Sequence, residues 1–224
     1  MREALDALAA FYGPLAPPPR DLFGFVVWEI LSARTLPSRR DIAWLALRRL
    51  PALTPDAMFR ASTADLQAAL LMLPGRDGRI DDLRAASGRL RRHRDLEAVV
   101  AGRLIGTVRA LAAVSALTPA GRARALLFPG GHAVAPADDA VVRVVTRMYG
   151  LEHARPAALR RLARRRLGVE CGGDLDLLRQ AAVLIAHHAA QACVPASPHC
   201  GVCPLAGRCR FAATAGGPAD PVLS

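Results

Sequence analysis

The sequence predicts an all-α fold with two lobes. Apolar residues recur at intervals of three and four along most of the chain, which is the period of an amphipathic helix. No segment of useful length alternates apolar and polar residues as a half-buried strand does. The segments with helical periodicity are Phe23–Leu31, Ile42–Leu50, Ala64–Leu71, Leu96–Leu104, Val108–Leu117, Ala140–Met148 and Leu175–Ala190.

Local signals mark where these helices begin and end. Residues 54–56 (Thr-Pro-Asp) and 62–65 (Ser-Thr-Ala-Asp) place small hydroxyl residues before an acidic first turn, which is typical of a helix start. Proline and glycine interrupt the chain between the periodic segments and separate them from one another. These breakers are Pro17-Pro18-Pro19, Pro51, Pro74-Gly75, Pro119, Pro129-Gly130-Gly131 and Gly172-Gly173.

The composition favours a polyanionic partner. The chain has 224 residues, of which 52% are hydrophobic, enough for one large or two small domains with a substantial core. Its formal net charge is +11, and nucleic acid is the commonest polyanion inside a cell. No apolar run is suited to span a bilayer, and the N-terminus lacks the pattern of a signal peptide. We therefore expect a cytoplasmic protein with no membrane partner.

All 30 basic residues are arginine, and the chain contains neither lysine nor asparagine. Arginine stays protonated at any workable pH, so no side-chain amine can form a Schiff base with a sugar aldehyde. The α-amine of Met1 is the one remaining candidate for such a nucleophile.

The most specific pattern lies near the C-terminus. Cys193, Cys200, Cys203 and Cys209 follow the spacing C-x6-C-x2-C-x5-C. Four thiolates in so short a segment can wrap one iron–sulfur cube. Structural zinc is the closest alternative, but such a site usually has two C-x2-C pairs and this chain has one. Disulfides are the third possibility, although a chain of this kind has little need of them.

Three motifs together resemble the endonuclease III family of base-excision DNA glycosylases. The cysteine spacing is the strongest of them. Leu117–Arg122 reads L-T-P-A-G-R, where the family has the helix-hairpin-helix L-P-G-x-G-[RK], and Ala137–Val144 reads A-D-D-A-V-V-R-V, where the family has V-D-T-H-x-x-R-V. Phe23–Arg34 is similar to the family's first core helix, which ends in L-S-A-Q. The likeness covers nearly the whole chain.

The resemblance implies a two-lobed helix-hairpin-helix glycosylase fold with a C-terminal iron–sulfur loop. Residues 20–128 would form a six-helix barrel with the hairpin near its end. Residues 1–19 and 129–224 would form the cluster domain. The four motif cysteines would hold a [4Fe-4S] cluster, and Cys171 would be a buried or idle thiol outside it.

The resemblance also implies roles for individual residues. Asp138 would stabilise the positive charge that develops on the sugar or activate a water, while Asp139 would cap the following helix. A tight turn containing Gly121 would bring backbone N–H groups to a DNA phosphate, with Arg122 and Arg124 adding charge. Arg34 occupies the position of the glutamine that fills the gap left by an extruded base, and would bind DNA.

Three departures from the family pattern limit what this site is expected to do. Ala123 stands where bifunctional members carry the lysine that cleaves the backbone, so lyase activity should be absent or very weak. Pro119 replaces the first hairpin glycine and has no N–H to offer a phosphate. The tip at residues 74–76 also lacks the bulky residue that wedges between bases, which predicts inefficient base extrusion.

We therefore expect a monofunctional DNA N-glycosylase, a hydrolase that releases a damaged or mismatched base by means of Asp138. Its partner would be double-stranded DNA containing such a base, and it would act as a monomer associated with the nucleoid. The main alternative is a homologue that binds DNA or damage without turnover, and an iron–sulfur or zinc regulator is a third. The lesion itself cannot be read from one chain.

Overall fold

A computed structural model describes residues 1–50, 53–93, 95–112, 114 and 117–214. Within these ranges the chain forms thirteen α-helices and two short 3-10 turns, and it contains no strand. The all-α prediction is therefore confirmed. None of the helices in the described ranges has both the length and the apolar character that a bilayer crossing requires.

The helices follow one another along the chain with short connections. They are α1 (Arg2–Tyr12), α2 (Leu22–Ser32), α3 (Pro37–Leu47), α4 (Pro55–Arg60), α5 (Thr63–Ala69), α6 (Arg76–Leu90), α7 (Leu96–Ala101), α8 (Leu104–Ala112), α9 (Pro119–Leu127), α10 (Asp139–Tyr149), α11 (Pro156–Glu170), α12 (Leu175–Gln191) and α13 (Arg210–Thr214). The two 3-10 turns are Cys200–Val202 and Ala206–Arg208.

Side-chain caps account for several of the helix starts. Thr54 and Ser62 accept hydrogen bonds from backbone N–H groups in the first turns of α4 and α5, as predicted from the sequence. The periodic segment Leu96–Leu104 is divided at Gly102, whose extended backbone ends α7. Two sequence predictions touch residues outside the described ranges: the breaker at Pro51, and the segment ending at Leu117, which crosses residues 113, 115 and 116.

The chain divides into two compact units. The first unit combines Met1–Pro17 with the chain from Ala133 onward, and the second unit is Pro18–His132. The sequence-based boundaries lay at 19/20 and 128/129, a few residues from these positions.

The second unit is built around α2. Nine of the eleven residues of this helix are buried, because apolar side chains occur on all its faces. It packs against α3, α6, α7 and α9, and the ring of Phe25 stacks on Phe128 with 6.1 Å between centroids. Glu29 is the one charged residue of α2, in a helix that is otherwise apolar except for Ser32.

The first unit is built around α10, which packs against α11, α12 and α13, while α1 packs against α12. Val141, Val144, Val145 and Met148 form the buried stripe of α10, with the spacing of an amphipathic helix. The segment between α12 and α13 carries the four motif cysteines and is folded by the two 3-10 turns.

Candidate active site and cysteine centre

Asp138 is the N-cap of α10. Its Oδ1 accepts a hydrogen bond from the backbone N–H of Val141 at 2.9 Å, and the residue is half-buried. Asp139, the first residue of the helix, has an 84% exposed side chain that pairs with Arg160 at 2.9 Å. The prediction that Asp139 caps the helix is therefore wrong, because the cap belongs to the residue whose backbone is still extended. Capping uses one of the roughly four lone-pair sites of the Asp138 carboxylate.

The hairpin segment, residues 117–122, differs from the predicted turn. Thr118 is the N-cap of α9, and its Oγ1 accepts from the N–H of Gly121 at 3.0 Å. Gly121 is thus the third residue of a helix and not part of a tight turn. Pro119 has no N–H, and the N–H of Arg122 donates to the Thr118 carbonyl at 2.9 Å. The first turn of α9 therefore satisfies these groups locally.

Gly121 is explained by an internal carboxylate. A Cβ at this position would lie 3.0 Å from Oε2 of Glu29. The Glu29 carboxylate receives two hydrogen bonds from Arg124, from Nε to Oε1 at 2.9 Å and from Nη2 to Oε2 at 2.6 Å. The side chain of Glu29 is only 10% exposed. A helix start attracts anions, and here Glu29 lies beside it. Sequence reasoning missed Glu29, although a lone charge in an apolar helix is a usable signal.

Glu29 and Arg124 line an open pocket of about 740 Å³ within the second unit, named here the Glu29 pocket. Arg34 lies on the same pocket, is exposed, and adopts a left-handed backbone conformation with φ of 51°. Such a conformation is costly for a residue with a Cβ and needs support from its surroundings. The remaining lining residues are Ile30, Ser32, Ala33, Pro74, Gly75, Gly78, Arg79, Asp81, Asp82 and Thr118.

Arg79 supplies that support and was not found from the sequence. Its guanidinium is buried and donates to the carbonyl groups of Ile30, Leu31 and Ala33, and to the hydroxyl of Thr35. Its Nε donates to the Pro74 carbonyl at 2.8 Å. Burial lowers the pKa of Arg79, and nearby Asp82 acts in the opposite direction. Arg79 therefore links three segments of the second unit: the C-terminal end of α2, residues 33–35 and the tip at residues 74–76.

The connection between α5 and α6 exposes apolar side chains. Leu71 is 67% exposed and Met72 is 49% exposed, just before Pro74 and Gly75 on the Glu29 pocket. The tip at residues 74–76 lacks a bulky apolar residue, but its immediate neighbours provide two.

The four motif cysteines of the first unit line one cavity, named here the cysteine cavity. Apolar side chains from α10, the end of α12 and α13 complete its wall, among them Val144, Met148 and Phe211. In the described part of the chain, no three Cys, His, Asp or Glu side chains already stand in a metal-binding arrangement. Burial, and then the neighbouring cysteines, raise the pKa of Cys200. A metal centre that binds thiolates would offset such repulsion.

Hydrogen-bond donors point at the sulfurs of the cysteine cavity. Nη1 of Arg147 lies 3.4 Å from Sγ of Cys193, and the backbone N–H of Leu205 donates to Sγ of Cys203 at 3.4 Å. Arg143 binds the carbonyls of Cys193 and Ala189, at 2.7 and 3.0 Å. Four thiols with a cation and an amide directed at them are a donor set suited to an anionic iron–sulfur cluster.

Cys171 lies outside this set. It is buried, 3% exposed, and burial raises its pKa to about 11. The expectation of a buried thiol is confirmed.

Solved structures share this architecture over almost the whole chain. A trapped covalent intermediate of endonuclease III with DNA covers 96% of this chain and 96% of its own, with a TM-score of 0.65 and 16% identity. A thermostable thymine-DNA glycosylase covers 95% and 96%, with a TM-score of 0.68 and 16% identity. A non-covalent endonuclease III–DNA complex covers 96% and 95%, with a TM-score of 0.69 and 14% identity.

The chain has the endonuclease III fold. The resemblance first drawn from three motifs is thereby confirmed at the level of the fold. No protein-family model matches the sequence, and no curated protein matches it either. At 14% to 16% identity the endonuclease III likeness establishes architecture, and the chemistry has to be argued from the residues.

Proposed function

We propose that this protein is a DNA repair glycosylase of the endonuclease III family that hydrolyses the N-glycosidic bond of a damaged or mismatched base. The observation that carries the proposal is the fold likeness to DNA glycosylases over 95% to 96% of the chain. Net charge of +11 supports a duplex DNA partner. We further propose that the protein acts as a monomer in the cytoplasm, associated with the nucleoid.

Asp138 is the proposed catalytic residue. Breaking a glycosidic bond builds positive charge on the sugar, and a carboxylate held beside it stabilises that charge or activates the attacking water. The cap bond to Val141 fixes the orientation of the Asp138 carboxylate at the start of α10. Asp139 is the poorer candidate, because its exposed side chain pairs with Arg160.

Monofunctional chemistry follows from the absence of lysine in the sequence. Ala123, at the position of the family's lysine, is buried and has no nucleophile. The α-amine of Met1 pairs with Oε2 of Glu170 at 3.1 Å, and this ion pair makes it poorly suited to attack a sugar. We therefore propose base hydrolysis without β-elimination.

The predicted DNA contacts are Arg34, Gly121, Arg122 and Arg124. Arg34 is the best placed of them, since it is exposed on the Glu29 pocket. Arg122 donates through Nε to the Leu117 carbonyl at 3.1 Å, and Arg124 is held by Glu29. We propose that backbone binding by the hairpin segment is weak, and that Leu71 and Met72 provide the apolar wedge that accompanies base extrusion.

We propose that Cys193, Cys200, Cys203 and Cys209 hold a [4Fe-4S] cluster. The cluster would supply a redox-active centre that also ties the cysteine segment to α10. Arg147 would offset part of its negative charge through the contact with Cys193. Zinc in the same cavity remains the alternative occupant.

The second candidate function is DNA or damage binding without turnover. It is favoured by the cap bond of Asp138, because this bond gives the proposed catalytic carboxylate a structural use at the start of α10. The missing lysine agrees with it equally well.

Base release from labelled duplexes carrying a panel of lesions, resolved with and without hot alkali, tests the proposal. We expect strand cleavage only after alkali, and a loss of about 10²–10⁴-fold in Asp138→Asn. Asparagine caps helices as well as aspartate does, so this change separates catalysis from stability. Asp139→Asn is the matched control and should retain full activity. Binding without release on every lesion would support the second candidate instead.

A further inference from the structure

His188 connects α1 to the cysteine cavity. It lies on α12, is 2% exposed, and its Nδ1 is 2.8 Å from the hydroxyl of Tyr12 at the end of α1. Its other ring nitrogen, Nε2, lies 3.6 Å from Sγ of Cys203. All three residues belong to the first unit. Both ring nitrogens of His188 therefore have specific partners.

The order of these contacts decides where the imidazole proton lies. A neutral imidazole has one donor and one acceptor nitrogen, and the partner of one fixes the role of the other. A thiolate bound to a cluster can only accept a hydrogen bond, so the nitrogen that faces Cys203 is the donor in the loaded site, and the Tyr12 hydroxyl, which can donate, faces the other nitrogen. Nδ1 of His188 is then the acceptor, and Nε2 carries the hydrogen that faces Cys203.

Cys203 is therefore the sulfur with two N–H groups aimed at it. The backbone N–H of Leu205 approaches at 3.4 Å and the imidazole of His188 at 3.6 Å. A sulfur accepts at longer distances than an oxygen, and hydrogen bonds to ligand sulfurs are one of the factors that set the potential of an iron–sulfur centre. Groups that hydrogen-bond to a metal ligand, and not to the metal itself, commonly alter the affinity and redox potential of metal sites.

We propose that His188, oriented by Tyr12, donates an N–H···S hydrogen bond to the Cys203 thiolate of the bound cluster and raises its reduction potential. This rests on the proposed cluster. A hydrogen bond withdraws charge from the sulfur and favours the reduced, more negative state of the cluster. His188 is a positioning residue, and Tyr12 acts one step further out by fixing the tautomer.

The test is a potentiometric titration of the purified protein, with the electrode supplying or accepting the electron. His188→Leu removes the donor and should move the potential to more negative values. His188→Gln keeps an N–H and should move it less, and Tyr12→Phe should give a small shift in the same direction. Exposed His199 lines the same cavity, and His199→Leu is the matched control for loss of an imidazole there.

A second readout identifies the hydrogen itself. The reduced cluster of the wild-type protein should show a coupled proton that exchanges in heavy water, and this signal should be lost in His188→Leu. An unchanged potential in His188→Leu, or a shift no larger than that of His199→Leu, overturns the inference even when iron and sulfide are present. Wild-type protein with zinc or no metal overturns the cluster proposal, and this inference with it.

Discussion

The hairpin segment and the cysteine cavity were both recognised by motif, but the structure uses the two sets of residues differently. In the hairpin segment, Thr118 accepts a hydrogen bond from the N–H of Gly121, and Glu29 forms an ion pair with the guanidinium of Arg124. The Gly121 N–H and the Arg124 guanidinium thus have partners inside the second unit. In the cysteine cavity, four thiols face one space, and donors from Arg147 and Leu205 are directed at them.

The difference shows how much a sequence motif alone can predict about function. A glycine, a proline and arginines near a helix start have ordinary structural uses, and here capping and an ion pair account for them. Four thiols around one cavity have no such use. Burial raises the pKa of Cys203, the backbone N–H of Leu205 lowers it, and repulsion from the three other motif cysteines raises it further. The cysteine motif therefore argues for a ligand, while the hairpin motif does not argue for DNA by itself.

Removing one thiol should produce the largest effect. Cys203→Ser is expected to abolish iron and acid-labile sulfide in the purified protein and to lower its thermal unfolding temperature, because metal binding is coupled to folding. The control is Cys171→Ala, a buried cysteine outside the cavity, which should retain full iron. Iron analysis beside a thermal melt measures both. Full iron content in Cys203→Ser would mean that the cavity is not the metal site.

Arg79 should dominate the stability of the second unit. Arg79→Met removes the donor from a set of backbone carbonyls and from Thr35, and we expect the free energy of unfolding to fall by about 3 kcal/mol. Arg84→Met on the same helix is the control. Arg84 is half-buried and contacts Thr63 and Ala61, so its loss should cost under about 1 kcal/mol. Urea denaturation gives both values, and equal costs would contradict the assignment.

Some of this organisation could be predicted from the sequence, and the reasons for the failures are physical. The amphipathic stripe of α10 and the hydroxyl caps of α4 and α5 are local features, so they were found. Helix α6 was missed because its buried face mixes Arg79 and Ser87 with few large apolar residues, which hides the helical period. In α11, arginines interrupt a short apolar stripe in the same way.

The site shows the same division. The cysteine spacing predicted which thiols come together, because all four lie within one short segment. Some contacts join residues that are far apart in the chain: Glu29 and Arg124 are separated by 95 residues, and His188 and Tyr12 by 176. Arg79 lies 46 and 49 residues from the Ala33 and Ile30 carbonyls that it binds. These contacts follow from the tertiary fold and not from local pattern. Residues that act through distant contacts are the ones that sequence reasoning misses.

Gly121 and Glu29 should be energetically coupled. Gly121→Ala places a Cβ 3.0 Å from Oε2 of Glu29, which Arg124 holds in place, so we expect a loss of about 1–2 kcal/mol. The same change in a Glu29→Ala background should cost about 1 kcal/mol less, which a double-mutant cycle measures. Gly106→Ala in α8 is the control, since a Cβ there meets no atom within 4 Å, and it should be neutral or stabilising. Strict additivity would show that Gly121 serves another purpose.

The loss of the Thr118 cap should have the smallest effect on stability, but it tests most directly whether the hairpin segment differs from the cysteine cavity. Thr118→Ala removes the cap of α9 and should lower the free energy of unfolding by about 1 kcal/mol, while Thr118→Asn should restore it. Ser62→Ala, which removes the cap of α5, should cost a similar amount. If Thr118 only caps, then its loss should not lower duplex DNA affinity, because removal of the hydroxyl leaves the Gly121 N–H able to donate to a phosphate. A fall in affinity beyond that of Ser62→Ala would instead place Thr118 on the DNA, and would make the hairpin segment a binding element after all.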